Sequence, residues 1–433
     1  MPPTSGPFGK DSELAKVAPF EAVHYNTDRF GKDLSRFVAP PYDVIDRVLE
    51  KRLKNDRLNI THITLGNEDD KYAIARRRLD TWLDDEVLVR DEGKSFYLYE
   101  QAFSDPEGVP RVRSGIIGVV RLEDFANRVI MPHEKTIPKH KADRLEHMMA
   151  IEGNTEQIFL LYDDPTEEVE EILRLSRKQE EILRFIDFEG VQHRIVRMMD
   201  TALIKRMESI FENAKLLIAD GHHRYETALE YRNKMREKDK SLGDKPYDYI
   251  LATLVSFRNP GLVIYPTHRL IQEVDPKLLE RLPELLEEEF VTTPCSGPDE
   301  LAKVVEKSEK GGFGVWIPSS KTFLYARLKN EKKPGTPMEG ISVYVVQERV
   351  LKRLLGFSSE MLDKKINIEY VKGTGPTKEL METEEYQACF LVKPPNAQQV
   401  LEVAQTGEKL PHKSTYFYPK IWSGTVLYLH GKS

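Results

Sequence analysis

A seven-residue segment near the middle of the sequence combines residue types that bind anions. It reads Ala219-Asp220-Gly221-His222-His223-Arg224-Tyr225, and the five residues from Asp220 to Arg224 are here called the DGHHR loop. Glycine lets the backbone turn and approach a ligand closely, and the guanidinium of Arg224 can pair with two phosphate oxygens at once. The two histidines can donate further hydrogen bonds, and Asp220 can hold a metal ion or a hydroxyl group. The segment therefore predicts a site for the phosphates of a nucleoside diphosphate or triphosphate.

The alternative for this segment is a polar turn with surface histidines, which is the more common role of a single histidine. Metal binding by His222 and His223 is disfavoured, because adjacent residues seldom coordinate one ion and helical metal pairs lie four residues apart. The flanking elements favour the phosphate site: Lys215–Ala219 is predicted as a short apolar strand, and Glu226–Asp239 as a helix. The start of a helix carries a partial positive charge that attracts phosphate.

A second polar cluster, His133-Glu134-Lys135-Thr136, follows the apolar run Val129–Met131. Glu134 could accept a proton from a substrate hydroxyl or hold Mg²⁺. Lys135 could stabilise a phosphoryl group during its transfer. An exposed loop remains the alternative for the whole cluster.

Two further segments carry polar groups that suit a substrate. His268 and Arg269 follow the predicted strand Leu262–Tyr265 and could supply a second histidine and arginine to a pocket, or form a structural turn. The run Lys413-Ser414-Thr415 could bind a carboxylate or a phosphate, but no G-x-x-x-x-G-K precedes it, which excludes a P-loop. The sequence also lacks the G-x-S-x-G elbow of serine hydrolases and the H-E-x-x-H motif of zinc proteases.

The elements that position these residues alternate without a regular β-α-β order, so the predicted fold class is α+β. Further predicted helices are Asp69–Asp84, Glu167–Gln179, Thr201–Asn213, Pro276–Glu289 and Val343–Leu355. Further predicted strands are Ser95–Phe103, Arg113–Leu122, Val191–Val196, Tyr249–Phe257, a pair within Gly311–Leu328, and the tail Ser414–Leu429. Gly373–Pro376 is predicted as a turn, since Pro376 interrupts any dinucleotide-binding glycine pattern.

The 433 residues suffice for several domains. We predict a flexible N-terminal tail over residues 1–18, an α+β region over 19–240 that ends in the DGHHR loop and its helix, and a second α+β region over 241–433. The net charge of −7 disfavours a nonspecific nucleic-acid binder. No apolar run of membrane-spanning length and no signal-peptide core is present, and the two cysteines are far apart, so we expect a cytoplasmic protein without structural zinc.

Gly221-His222-His223-Arg224-Tyr225-Glu226 resembles the G-C-H-R-Y-E signature of sulfiredoxins, whose loop binds ATP phosphates. It is also similar to the phosphate motif of ParB-type proteins, and archaeal free serine kinases of that superfamily carry a comparable D-G-H-H-R. His222 occupies the position of the sulfiredoxin cysteine. The resemblance therefore implies phosphate binding on a ParB/sulfiredoxin-like core, without the nucleophile that repairs sulfinic acids.

A wider resemblance covers nearly the whole chain, from about Pro19 to Leu429. The segments that carry it are Pro40-Pro41-Tyr42-Asp43-Val44, Pro132-His133-Glu134-Lys135-Thr136, Asp143-Arg144-Leu145, Pro266-Thr267-His268-Arg269, and the run from Pro411 to Lys420 (PHKSTYFYPK). Together with the DGHHR loop they resemble one uncharacterised family, domain of unknown function 1015. That family supplies no settled activity, so the kinase interpretation comes from the loop.

These observations predict a nucleotide-dependent kinase for a small hydroxylated metabolite, with free L-serine favoured, ATP or ADP as donor and Mg²⁺ as cofactor. The predicted catalytic residues are Glu134, Asp220 and His223, and Asp220 and Glu134 are also the predicted magnesium ligands. The predicted phosphate-binding residues are Gly221, His222, His223, Arg224 and Lys135. The predicted substrate-binding residues are His133, His268, Arg269, Lys413, Ser414 and Thr415. The alternatives are a ParB-like nucleotide-binding regulatory protein that phosphorylates no acceptor, and a metal-dependent hydrolase built on His133, Glu134, His222 and His223. The sequence predicts no oligomeric state.

Overall fold

The structure is a computed structural model that describes residues 15–66, 70–134, 141–212, 214–308, 311–329, 335–383 and 385–431. The strands are β1 Val17–Ala18, β2 Val23–Tyr25, β3 Leu88–Arg90, β4 Phe96–Ser104, β5 Pro110–Arg121, β6 Ile130–Met131, β7 Gly153–Asn154, β8 Ile158–Tyr162, β9 Glu180–Ile186, β10 Gln192–Met198, β11 Leu216–Asp220, β12 Tyr249–Ser256, β13 Val263–Ile264, β14 Thr267–Ile271, β15 Phe290–Pro294, β16 Phe313–Ile317, β17 Thr322–Leu328, β18 Ile368–Lys372, β19 Ala388–Val392, β20 Phe417–Tyr418 and β21 Tyr428–Leu429.

The α-helices are α1 Thr27–Phe30, α2 Arg47–Leu53, α3 Thr61–Thr64, α4 Lys71–Asp84, α5 Lys141–Ile151, α6 Glu168–Ser176, α7 Thr201–Phe211, α8 His222–Lys238, α9 Pro276–Leu286, α10 Pro298–Glu306, α11 Ser342–Val345, α12 Ser359–Lys364, α13 Thr374–Glu382 and α14 Ala397–Thr406. A π-helix, Val346–Leu354, continues directly from α11. No helix among the described residues is both long enough and apolar enough to cross a membrane.

The chain divides into two units that are interleaved in sequence. The first unit comprises the described residues of Met1–Pro132, Ile137–Leu262 and Pro419–Ser433, and the second comprises those of His133–Thr136 and Val263–Tyr418. This division differs from the predicted boundary after residue 240, because β12 pairs with β5 and β8 inside the sheet of the first unit.

The first unit is built on a mixed sheet of nine strands among the described residues. Their order is β6-β11-β8-β12-β5-β4-β10-β9, and β1 pairs with β5. β8 runs parallel to β12 and antiparallel to β11, whereas β4 and β5 form an antiparallel hairpin. This combination of parallel and antiparallel pairs with packed helices confirms the predicted α+β class.

The core of the first unit lies where the sheet meets three helices. All five residues of β8 are buried, as expected for an apolar strand with neighbours on both edges. Ile172 of α6, Met207 of α7 and Tyr225 of α8 belong to the same buried cluster as Leu160 and other residues of the sheet. Burial of this kind of apolar surface is the main force that stabilises a fold.

The second unit contains a six-stranded antiparallel sheet in the order β15-β17-β16-β19-β14-β18. Helix α10 packs on it through Leu301 and Val305, which are buried. A Cβ atom on Gly314 of β16 would lie 3.0 Å from both side chains, so the glycine allows the helix to approach the sheet closely.

Several local predictions differ from the structure. Gly373–Pro376 is not a turn: Gly373 precedes α13, and Pro376 lies in its first turn, where a proline costs no helical hydrogen bond. Thr267–Ile271, predicted in part as a turn, is strand β14. The tail Ser414–Leu429 contains only the short strands β20 and β21 among its described residues. Within the predicted flexible tail, Ala15 is buried and β1 pairs with β5, whereas residues 1–14 lie outside the described residues.

Helix α8 begins at His222, four residues before the predicted start at Glu226. Apolar periodicity could not reveal those four residues, because they are mostly polar. The DGHHR loop therefore consists of the last residue of a strand, a single glycine and the first turn of a helix.

Replacing Leu160 with alanine should lower the free energy of unfolding by about 2–5 kcal/mol, the usual cost of such a cavity in a core. Its side chain is 0% exposed, whereas that of Leu242 is 96% exposed. The matched change Leu242→Ala should therefore alter stability by no more than about 0.5 kcal/mol. Chemical denaturation of the two variants measures this difference. Equal destabilisation by both changes would show that β8 is not a core strand.

Candidate functional site

The DGHHR loop reverses the chain with one left-handed residue. Gly221 has φ 89° and ψ 27°, and it is the N-cap of α8. A Cβ atom at this position would lie 2.9 Å from Ile158 Cγ2 and 3.2 Å from Arg224 Cζ. Both the backbone conformation and the lack of space therefore require glycine.

Asp220 is held in its ionised form by positive neighbours. Lys420 Nζ donates to Asp220 Oδ2 at 2.8 Å, and the backbone N–H of Gly221 donates to Asp220 Oδ1 at 2.8 Å. Burial disfavours the charged carboxylate, but the charges of Lys420 and Arg224 outweigh burial and hold the pKa of Asp220 well below its usual range. An ionised carboxylate and an ammonium group thus adjoin the start of α8.

Arg224 points back across Gly221 instead of out into solvent. Its Nη1 donates to the backbone carbonyl of Gln157. Burial alone would lower the pKa of Arg224, but the negative charges of Glu156, Asp220 and Asp43 raise it. The guanidinium is therefore a fixed positive charge beside the turn.

Glu156 links the loop to the Pro-Pro-Tyr-Asp turn. Its Oε1 accepts from the backbone N–H of Tyr42 at 3.2 Å and from Ser423 Oγ at 2.9 Å. Arg144 lies over the ring of Tyr42, 4.8 Å from its centroid. Burial raises the pKa of Tyr42 to about 12. The negative charge of Glu156 adds to this rise, and the positive charge of Arg224 opposes it. The turn thus brings a neutral hydroxyl and a second arginine to the surroundings of Arg224.

A cavity of 30 Å³ lies beside Arg224, with Arg144 and Glu156 in its wall. That volume holds about one or two water molecules. A nucleotide at this position would therefore require some of the surrounding side chains to move.

The second unit contains a separate polar cluster around Lys413. Glu134 Oε1 accepts from the backbone N–H of Lys413 at 3.0 Å and lies 3.0 Å from His412 Nδ1. His133 Nε2 and Thr415 Oγ1 lie 2.9 Å apart. We call His412–Thr415 the Lys413 turn, because Lys413 has the unusual φ of 60° at its centre.

Arg269 supports this cluster from strand β14, which also contains His268. The fully buried Arg269 donates from Nη2 to the carbonyl of Lys413 at 3.0 Å. The backbone of Lys413 is therefore held by Arg269 at its carbonyl and by Glu134 at its N–H. Burial lowers the pKa of Arg269 to about 10, although Tyr370 and Glu134 act in the opposite direction. Burial, with the charge of Arg269, lowers the pKa of His268 to about 3, which makes this imidazole neutral at physiological pH.

The structure therefore groups the predicted residues into two sets. Asp220, Gly221 and Arg224 lie together in the first unit, where His222 is buried and His223 half-buried. His133, Glu134, Arg269, Lys413 and Thr415 lie together in the second unit. The hydroxyl of Ser414 donates to the carbonyl of Pro411 at 2.6 Å within the same turn. Lys135 lies outside the described residues.

Sequence reasoning missed Lys420 and Glu156 as members of the loop's surroundings. Lys420 ends the run from Pro411 to Lys420 that the sequence analysis singled out, but nothing in that run indicates Asp220 as its partner.

Within the described part of the chain, no group of three or more His, Cys, Asp or Glu side chains is arranged to hold a metal ion.

Several solved structures are similar to the chain. A mutant of free serine kinase in complex with AMP matches with a TM-score of 0.37 and 14% identity, over 70% of this chain and 87% of that chain. A conserved hypothetical protein from Pyrococcus furiosus matches with a TM-score of 0.36 and 17% identity, over 70% and 91% of the two chains. SbnI with a C-terminal truncation, from Staphylococcus aureus, matches with a TM-score of 0.36 and 12% identity, over 71% and 85%.

No protein of curated function matches the sequence. The family described as protein of unknown function (DUF1015) matches residues 17–391. This match covers most of the 433 residues and includes most of the segments that suggested the same family from sequence motifs. The chain therefore belongs to the DUF1015 family.

Proposed function

We propose that the chain is a nucleotide-dependent kinase for small molecules, which transfers a phosphoryl group from ATP or ADP to a hydroxyl group, with free L-serine as the favoured acceptor. The observation that carries the proposal is the DGHHR loop: a left-handed glycine at the start of α8, flanked by Arg224 and by the Asp220–Lys420 ion pair.

The loop has the features that phosphate recognition requires. Gly221 lets the backbone approach a ligand, and the N-terminal end of α8 contributes a partial positive charge. Arg224 offers a planar pair of donors, and Lys420 offers a mobile point charge. His222 and His223, in the first turn of the helix, are proposed as additional donors to the phosphates, with His223 also taking part in transfer.

Lys420 has a specific role in this proposal. In the structure its ammonium neutralises Asp220, and their side chains retain 13% and 24% exposure. An arriving phosphate would compete with Asp220 for Lys420, since both are oxyanions. Asp220 or Glu134 would hold Mg²⁺, which neutralises charge on phosphate oxygens when it is bound. Catalysis would then depend on positioning and charge neutralisation, as is usual for phosphoryl transfer.

The cluster around Lys413 is proposed to bind the acceptor. Free serine carries a carboxylate, an amino group and a hydroxyl, so its site needs both a cation and an anion. Lys413 would pair with the carboxylate, and Glu134 is proposed as the base that accepts the hydroxyl proton. Thr415 would contact the substrate directly, and the fully buried His133 would position the hydroxyl of Thr415. Arg269 and Ser414 would fix the Lys413 turn through the buried contacts described above, and His268 would lie beside Arg269 in β14.

Phosphorus NMR of the full chain with Mg-ATP or Mg-ADP tests the activity itself. We expect a new phosphomonoester signal when L-serine is added, together with an equivalent amount of the nucleotide product, and no ester when the acceptor is omitted. Nucleotide binding without an ester from serine or any other hydroxylated metabolite would contradict the kinase proposal. That result would favour a nucleotide-binding regulatory protein.

Arg224→Ala should weaken nucleotide binding by about 10- to 100-fold, the loss expected when one charge-assisted pair with phosphate is removed. Lys234→Ala is the matched control, because Lys234 is a cation on the same helix with 47% side-chain exposure and a distant 3.9 Å pair with Glu230. Calorimetric titration with ADP measures both affinities, and thermal melting checks the fold. Unchanged affinity in folded Arg224→Ala would remove Arg224 from the phosphate site.

Glu134→Gln should reduce phosphoryl transfer by about two to four orders of magnitude while leaving the affinity for nucleotide without Mg²⁺ unchanged, because Glu134 is proposed to act on the acceptor or on the metal and not directly on the phosphates. Glu360→Gln serves as the control, since Glu360 is a 70% exposed carboxylate of the second unit. Turnover with saturating nucleotide distinguishes the two variants. Comparable rates would mean that another group accepts the proton.

A further inference from the structure

The second unit has a surface cavity that the proposed function does not use. It has a volume of 660 Å³ and lies beside helix α10 and strand β17. This volume is within the range of small-molecule sites. The Lys413 turn and Glu134 are not part of its lining, so its ligand chemistry must be inferred from its own residues.

Three cations line this cavity. Lys303 and Lys307 come from α10 and its C-terminal end, and Arg327 comes from β17. Among the described residues none of the three forms an ion pair, and Asp299, the acidic neighbour of Lys303, pairs with Lys378 instead. Cations near the end of a helix stabilise its dipole, which accounts for the lysines but not for an arginine on a neighbouring strand.

The acidic residue in the lining already has its own partners. Glu300 Oε2 accepts from the backbone N–H and from Oγ of Ser296, each at 2.6 Å. The carboxylate is thus satisfied without the lysines. Three cations and one carboxylate give the described lining of the cavity a net charge of plus two, although the whole chain has a net charge of −7.

A buried hydroxyl completes the lining. Ser308 is 8% exposed, and its Oγ has no hydrogen-bond partner among the described residues. A Cβ atom on Gly312 would lie 2.5 Å from Tyr325 Oη and 3.0 Å from Ser308 Cβ, so the glycine lets both side chains converge on one point. A buried hydroxyl without a partner is costly, and such groups are commonly explained by a ligand or an ion.

We propose that this cavity binds a small phosphomonoester dianion, as a ligand site separate from the DGHHR loop. A phosphate group has several acceptor oxygens and carries about −1.5 to −2 charges at neutral pH, which matches the cavity's charge. Arg327 supplies a planar pair of donors, the lysines supply point charges, and Ser308 supplies a short hydroxyl donor. Tyr325 offers a ring face to the carbon skeleton of the ligand.

The test uses the full chain and its Arg224→Ala variant, titrated calorimetrically with glycerol 3-phosphate and, as the matched uncharged probe, glycerol. We expect both chains to bind glycerol 3-phosphate and neither to bind glycerol. Binding that disappears in Arg224→Ala would place the phosphate at the loop and overturn the proposal. So would the absence of binding to the unsubstituted chain.

Substitutions in the cavity then locate the ligand. Arg327→Gln and Lys307→Gln should each weaken glycerol 3-phosphate binding about tenfold or more, whereas Lys277→Gln, an exposed lysine on α9, should not. Ser308→Ala should also weaken binding without lowering the melting temperature, because it removes a hydroxyl for which the described part of the chain supplies no partner. Undiminished affinity in Arg327→Gln and Ser308→Ala would refute the site.

Discussion

The left-handed conformation of Gly221 is the constraint on which the candidate phosphate site depends. It turns the chain from β11 into α8 without an intervening loop, so the carboxylate of Asp220 and the start of the helix are adjacent. It also leaves the space that the guanidinium of Arg224 occupies. Lys420, Glu156 and the Pro-Pro-Tyr-Asp turn then lie around charges whose positions this single residue determines. A helix that began after a longer loop would leave those charges without fixed positions.

Part of this site could be predicted from local sequence, and part could not. The apolar run before Asp220 and the glycine after it indicated a strand that ends in a turn, and the polar residues that follow indicated anion binding. Lys420 and Glu156 escaped prediction because hydrogen bonds join them to residues 200 and 114 positions away in the chain. Such pairings depend on how the sheet is ordered, and residue spacing does not report that order. The prediction of a turn at Gly373–Pro376 was wrong for a local reason. Proline and glycine are common in turns, but both also occur at the start of a helix, as they do here.

In the second unit, burial determines what the polar residues do. His268 and Arg269 are the kinds of side chain that commonly contact ligands, and sequence alone could not show that they lie buried within strand β14. Enclosure makes the histidine neutral and directs the arginine to a backbone carbonyl. Between Arg269 and Glu134, the strained backbone of Lys413 is fixed on both sides. A turn fixed in this way loses little further backbone freedom when its lysine binds a ligand.

The interleaving of the two units constrains how the protein is made. Lys420, Ser423 and β21 belong to the first unit, but the ribosome adds them after the whole of the second unit. β7, which pairs with β21, and Asp220, which pairs with Lys420, must therefore wait for residues that follow the second unit. Domains usually fold in order as they emerge. Here the first unit, although most of it is synthesised first, can complete its charged centre only after the second unit has been synthesised, so a product that terminates before Lys420 would lack it.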